Sequence, residues 1–237
     1  MSKKSVLALV LIVLVPVLSY LLVRTVSADA IEMPRRFYPD SVVTKVVDGK
    51  EKTDTIWHKV ANITLTNQLG NDVSLYDIKG KIIIANFFFT RCPTICPRLT
   101  KAMKGLQDGL TINDPRRRIN MDFVHFLSFS VDPERDSVPV LKKYADNYGV
   151  NHDIWWMMTG PKKTIYDWTF NEIKLPLQDG EAVDSNFIHT ERFVLMDRDY
   201  VIRGYYSGLD SMALSKLAED MTLLMLERDK KKKRKLF

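Results

Sequence analysis

Apolar and polar residues follow different periods in successive blocks of this chain, and each period predicts an element. Residues 82–89 (IIIANFFF), 121–132 (MDFVHFLSFSVD) and 155–160 (WWMMTG) are mostly apolar without strict alternation, which is typical of strands buried on both faces. Apolar residues at helical spacing predict helices over four segments: 97–110, 138–148, 162–170 and 212–226.

Two polar clusters predict hairpin turns, because each separates two β-rich runs. The first is Leu69–Asp72 and the second is Asp197–Asp199, which lies between residues 192–196 and 200–206. After the opening hairpin the predicted order is β-α-β-α-β-α-β-β-α. This order predicts a mixed α/β sheet with helices on both faces, in a domain that spans residues 58–227.

The longest apolar block lies near the N-terminus. After a short basic segment (residues 1–4), residues 5–23 carry no charge, and at about 1.5 Å per residue a helix of this length reaches roughly 28 Å, close to the thickness of a hydrocarbon core. A cleaved signal peptide is the alternative, because small residues follow at 27–30. We favour a transmembrane anchor, since the run is longer than a typical signal core and Arg24 closes it. Basic residues on both sides leave its orientation open.

Residues 24–57 contain scattered prolines and charges with little periodicity, which predicts a linker between the anchor and the domain.

The basic charge is concentrated at the C-terminus. The chain has a formal net charge of +6, and the polybasic tail, residues 228–237, contains seven Lys or Arg residues and one Asp, which equals that net charge. Because the remainder is nearly neutral, the pI of 9.2 does not indicate nucleic-acid binding. A frayed, solvated tail is the simpler interpretation, and attraction to anionic headgroups or to an acidic partner is the functional one.

The only two cysteines, Cys92 and Cys96, lie four positions apart at the predicted junction of a strand and a helix. A disulfide between them would close a very short loop and stabilise the fold little. A helix N-terminus favours thiolates, which can exchange disulfides or bind a soft metal such as Cu(I). Pro93 and Pro97 restrict the loop, and we favour metal binding.

Four histidines are candidates for completing a metal site. His125 lies in a buried strand pattern and is predicted to be a core residue, while His58 and His152 lie near element edges without a partner pattern. His189, in a loop before a predicted strand, is either an exposed loop residue or a ligand. A set of two cysteines and one histidine suits copper in both oxidation states, Cu(I) and Cu(II).

Two other features have competing interpretations. Asp132 follows a central strand, where open α/β sheets place their sites, so it is either a residue that supports the metal ligands without binding the metal or the cap of the next helix. The cluster Trp155–Met158 could offer a thioether to Cu(I), but consecutive large apolar residues in a strand are usually core.

The motifs together resemble the SCO/SenC family of membrane-tethered, thioredoxin-fold copper proteins that help to assemble cytochrome c oxidase. FFFTRCPTICPRLT (87–100), SVDPERD (130–136) and IHT (188–190) carry the resemblance, which covers roughly residues 60–227 in the right order. The CPxxCP motif alone would be a weak signal, but the combination is specific.

The resemblance implies that Cys92, Cys96 and His189 are copper ligands in a thioredoxin-like domain. It also implies a single-pass protein of the cytoplasmic membrane with this domain on the periplasmic side, and a role at the CuA site in subunit II of cytochrome c oxidase, or with its assembly factors. The sequence departs from the family pattern at Thr94 and Ile188, where acidic residues are frequent. Both changes remove negative charge near the predicted site and bear on copper affinity.

Three functional classes remain after this reading of the residues. A metallochaperone uses all three ligands, a thiol-disulfide oxidoreductase needs only the cysteines, and a peroxidase-like enzyme of the same fold would use Cys96 with a nearby Arg98. The metallochaperone is favoured because it alone gives His189 a role.

Overall fold

A computed structural model describes residues 3–28, 32–47, 50–111, 123–175 and 190–234. The chain divides into two compact units, Met1–Met33 and Pro34–Phe237. The helices are α1 Lys3–Ala28, α2 Ile95–Thr111, α3 Val138–Asn147, α4 Lys162–Trp168 and α5 Ser211–Arg234. The strands are β1 Pro39–Val47, β2 Lys50–Trp57, β3 Thr64–Asn67, β4 Asp72–Ser74, β5 Ile82–Phe88, β6 Val124–Ser130, β7 Trp155–Thr159, β8 Arg192–Met196 and β9 Ile202–Ser207.

The first unit contains α1, a helix of 26 residues with Pro16 inside it. Its described apolar side chains, between Ile12 and Val23, are exposed. Within the ranges that the structure describes, no helix combines the length and the apolar character needed to cross a membrane.

An antiparallel hairpin, β1 with β2, lies within the segment that the sequence predicts as a linker. The flanks of this hairpin are hydrogen-bonded to the remainder of the second unit: Phe37 N–H donates to Ile202 O at 3.0 Å, and Val60 N–H donates to Tyr200 O at 3.0 Å. The structure therefore differs from the linker expected over residues 24–57 and from the predicted domain start at residue 58. Valine is frequent in β1 and threonine recurs in β2, and both favour extended backbone, although the charged residues among them hide the pattern.

The main sheet has seven strands in the order β4-β3-β7-β6-β5-β8-β9. Strand β5 pairs in parallel with β6, β6 pairs in parallel with β7, and β8 is antiparallel to β5. This mixed sheet and its element order confirm the prediction made from the apolar pattern. All seven residues of β5 are buried, as expected for a central strand that is covered on both faces.

Alternate residues of the central strands supply two separate cores. On one face, Ile82, Ile84 and Phe88 belong to a cluster with buried residues of α2, α3 and α5. On the other face, Ile83, Ala85 and Phe87 belong to a cluster that includes residues of α4 and of the π-helical turn Thr169–Ile173 that follows it. Helices thus cover both faces, as predicted.

The last helix is longer than the sequence predicts. We expected it to end at residue 226, and α5 continues to Arg234, into the polybasic segment. Lysine and arginine are good helix formers, so the backbone continues as a helix beyond the apolar pattern.

Candidate metal and thiol site

The two cysteines lie on one corner of the main sheet, where β5 ends and α2 begins. Both are free thiols, and only 6% of Cys92 and 3% of Cys96 is exposed. Pro97 lies in the first turn of α2, where a missing N–H costs no helical hydrogen bond. The predicted strand-to-helix junction is therefore confirmed, with Cys92 before the helix and Cys96 inside its first turn.

The sulfur of Cys92 faces the N-terminus of α2. The Cys96 N–H donates to Cys92 Sγ at 3.4 Å, and the Thr94 hydroxyl lies 4.0 Å from the same sulfur. Burial of Cys92 raises its pKa, but hydrogen bonds from the backbone of Cys96, Thr94 and Ile95 oppose this, and the net pKa is lowered. Cys92 is thus the thiol that ionises first.

Cys96 behaves in the opposite way. Burial raises its pKa to about 12, a hydrogen bond from the backbone of Phe89 opposes the rise, and the neighbouring Cys92 adds to it. The corner therefore holds one thiol that ionises more readily than an ordinary cysteine and one thiol that keeps its proton until a bound cation or a reaction partner favours its loss.

A buried carboxylate, Asp136, supports this corner from the turn after β6. Asp136 Oδ1 accepts the Thr90 hydroxyl at 2.5 Å, and its Oδ2 accepts the Ser130 hydroxyl at 2.6 Å and the Thr90 N–H at 3.2 Å. Burial raises the pKa of Asp136, and these hydrogen bonds lower it, with a net rise. Because Thr90 precedes Cys92 by two residues, Asp136 fixes the end of β5 from which the cysteine loop starts.

The role of Asp136 was missed in the sequence, although it closes the quoted SVDPERD motif. Asp132 was singled out instead, and its carboxylate contacts Arg135 at 3.3 Å. The N-cap of α3 is Ser137, so Asp132 does not cap that helix. A usable signal was present: Ser130 ends a buried strand, and Asp132 and Asp136 follow it. The neighbouring parallel strand, β5, ends shortly before Cys92, so these polar residues lie at the same sheet edge as the cysteines.

The third predicted ligand, His189, lies outside the described residues. The description resumes at Thr190, whose hydroxyl accepts the Arg192 N–H at 3.1 Å at the start of β8. Since β8 is antiparallel to β5, with Val194 paired to Ala85, β8 starts at the edge where β5 ends. In the described part of the chain, no group of three or more His, Cys, Asp or Glu side chains is arranged to hold a metal ion.

The remaining candidates have structural contacts. His125 is 1% exposed and lies edge-on to Trp156 with ring centroids 4.2 Å apart, which confirms the core prediction. Trp155 and Met157 are fully buried, as predicted for core residues. His152 lies 3.0 Å from Gln68 and 3.1 Å from Asp146, and it neighbours the edge where β7 begins, opposite the cysteines.

A model of the SCO1/SenC family matches residues 51–225 of this chain. The chain belongs to the SCO1/SenC family. This match confirms the resemblance based on the three motifs.

Known relatives align with most of this chain, and we call the domain that carries the two cysteines the Sco domain. The SCO1 protein homolog of Bacillus subtilis (strain 168) is 34% identical over 174 residues, which cover 73% of this chain and 86% of that protein. A SCO1/SenC family lipoprotein from Bacillus anthracis str. Ames has a structure with a TM-score of 0.61 and 28% identity, covering 71% of this chain and 95% of that one.

Two further structures describe chemistry within the family. The structure of BsSco, a member of the Sco family of cytochrome c oxidase assembly proteins with a disulfide switch, has a TM-score of 0.59 and 33% identity and covers 70% of this chain and 93% of its own. Bradyrhizobium japonicum ScoI with copper bound is 22% identical, with a TM-score of 0.53 and coverage of 69% and 98%, and is similar in fold. The thioredoxin-like fold is thus confirmed, and the family includes copper-bound proteins and cytochrome c oxidase assembly proteins.

Proposed function

We propose that this chain is a membrane-anchored metallochaperone that binds copper through Cys92, Cys96 and His189. Its cargo is delivered to the CuA site of cytochrome c oxidase, in subunit II, directly or through an assembly factor. Asp132 is retained as a residue near this site rather than a ligand.

The observation that carries the proposal is the pair of reduced, buried thiols on one loop-helix corner. Thiolates are soft ligands that suit Cu(I), and the hydrogen bonds to Cys92 keep one of them ready to ionise. A bound cation would also favour loss of the proton that Cys96 retains, since metal binding requires deprotonated ligands. The start of β8 at the same sheet edge supports His189 as the imidazole ligand.

The apolar residues 5–23 support the anchor and with it a location in the cytoplasmic membrane. On this proposal the domain that carries the two cysteines lies on the periplasmic side. A cleaved signal peptide remains the alternative fate of the same segment.

A thiol-disulfide oxidoreductase is the second candidate, favoured by the difference between the two thiols. A thiol with a lowered pKa attacks a disulfide, and a second thiol beside it then resolves the mixed disulfide. The disulfide switch of BsSco gives a precedent within the family. Such an enzyme would prepare the cysteines of its recipient and would need no histidine.

Copper titration of the reduced full-length protein tests the ligand set. We expect one copper per chain, with charge-transfer absorption from thiolate to Cu(II), and loss of stoichiometric binding in Cys92→Ser or after the two cysteines are oxidised to a disulfide. If Cys92→Ser bound copper with the affinity of the unmodified protein, the ligand assignment would be wrong.

Substitution of His189 separates the two candidates. Because imidazole suits Cu(II) while two thiolates can hold Cu(I) alone, His189→Ala should keep Cu(I) and lose most Cu(II) affinity. Its exchange rate with a small disulfide should change little. His152→Ala is the matched control, since His152 lies near the opposite edge of the sheet and should leave copper binding unchanged. Normal oxidase activity at limiting copper in cells with His189→Ala would favour the oxidoreductase.

A further inference from the structure

The polybasic end of α5 has no role in the copper site, and the structure shows which end of the domain it occupies. Helix α5 starts at Ser211, soon after Gly208, where a Cβ atom would lie 2.5 Å from Leu99 of α2. It therefore starts at the edge of the sheet that carries the cysteines. Thirteen residues later, Leu224 lines a cleft with Lys81 and Ile82, at the beginning of β5. The helix thus runs from the cysteine edge to the opposite edge.

The chain enters the domain at that opposite edge as well. Arg203, at the start of β9, donates to Pro34 O at 2.7 Å and to Arg35 O at 3.1 Å. The same side chain lies 3.3 Å from Glu227 of α5, and Arg36 lies 3.7 Å from that carboxylate. These contacts fix the entry point Pro34 beside the residue at which the polybasic segment starts.

The charges at this edge are predominantly positive. Residues 228–234, the last part of α5, contain six basic residues and one Asp, and Lys79, Lys81, Arg35 and Arg36 lie at the same edge. The buried carboxylate of Asp197 is already paired with Arg203 at 2.9 Å, which leaves Asp199 as the exposed acidic residue of the cleft.

We propose that this basic pole, Lys79–Lys81 with Arg228–Arg234, binds the anionic headgroups of the bilayer and holds the cysteine edge away from it. The inference rests on the membrane anchoring in the proposed function, because a segment that enters the bilayer leads into the domain at Pro34. An anionic surface attracts polybasic segments, and this attraction falls off within a Debye length, about 8 Å at physiological salt.

The cysteines lie outside the range of this attraction. The seven residues of β5 separate the two edges by roughly 20 Å, at about 3.3 Å per residue. Charge changes in the tail should therefore leave copper binding unaltered, and the two proposals can fail independently.

Lysine footprinting of the full-length protein tests the proposal. The protein is placed in lipid nanodiscs of phosphatidylcholine alone or with about one-third phosphatidylglycerol, and acetylation of each lysine is followed by mass spectrometry. With the anionic lipid, Lys79 and the lysines of residues 230–233 should react at least about fivefold more slowly, whereas Lys101 of α2 should not change. Salt at about 0.5 M should abolish the difference.

Two variants with the same net charge provide the comparison. Lys231, Lys232 and Lys233→Glu removes the charge of the tail, and Lys101, Lys143 and Lys163→Glu makes an equal change at exposed lysines of other helices. The first variant should lose the protection of Lys79, and the second should retain it.

Equal acetylation in neutral and anionic discs overturns the proposal, as does protection that appears only when an acidic soluble protein is added. Copper titration of the same samples keeps the outcomes distinct. Normal copper binding without lipid protection refutes this inference alone, and failure of the protein to remain in the discs refutes the proposed anchor.

Discussion

The two thiols of the Sco domain should react with an alkylating reagent at very different rates. The Cys96 pKa is raised to about 12, whereas that of Cys92 is lowered from its ordinary value of 9.0, so the two differ by more than three units. Below both pKa values, the thiolate fraction of Cys92 is then larger by a factor of about 1,000. A more basic thiolate is more nucleophilic, with a Brønsted slope of about 0.45, so each Cys96 thiolate reacts roughly twentyfold faster than a Cys92 thiolate, which offsets part of this difference. The net expectation is that Cys92 reacts about fifty times faster.

Iodoacetamide labelling of the reduced protein at pH 7.5, followed by peptide mass spectrometry, measures both rates in one sample. The rate at Cys92 should level off at a lower pH than the rate of an ordinary thiol, because its pKa is lowered. The rate at Cys96 should still rise at pH 11, since its thiol has not yet fully ionised. In about 6 M guanidinium chloride the two rates should agree within about twofold, because the hydrogen bonds and the burial that separate them are lost. Equal rates in the folded protein would refute the assignment of Cys92 as the ionised thiol.

Three further predictions concern the surroundings of the site and the fold. Burial lowers the pKa of His125 to about 3 in the folded protein, whereas the same side chain takes up a proton near pH 6.5 in the unfolded chain. The free energy of unfolding should therefore fall as the pH drops from 6.5 towards 3. Urea unfolding should show a slope about 1.4 kcal/mol per pH unit steeper than in His125→Leu, and identical slopes would contradict this. Arg203→Met leaves two carboxylates without their buried partner and should cost about 3–5 kcal/mol by urea unfolding, against less than about 1 kcal/mol for the exposed Lys216→Met. Asp136→Asn removes a negative charge that raises the Cys96 pKa, so alkylation of Cys96 should become severalfold faster, and an unchanged rate would exclude this electrostatic role.

Much of the central fold was predictable because the strands of a sheet covered on both faces are unusually apolar. Strands β5, β6 and β7 and the helices between them follow periods that a single sequence reveals, and the turn residues mark the two hairpins. The hairpin of β1 and β2 was not predicted, since its stability comes from pairing and from flanks bound to distant residues. The charged side chains on its strands carry no apolar period.

The sequence by itself determined the chemistry of the site: two cysteines four residues apart, a strand before them and a helix after them, and the motifs of the SCO1/SenC family. Only the tertiary structure decided the difference between these thiols, because it depends on burial and on which backbone N–H groups reach each sulfur. It also decided the position of Asp136, 44 residues after Cys92, and that of the basic helix end beside Pro34, since parallel pairing and helix packing join segments that lie far apart in the chain.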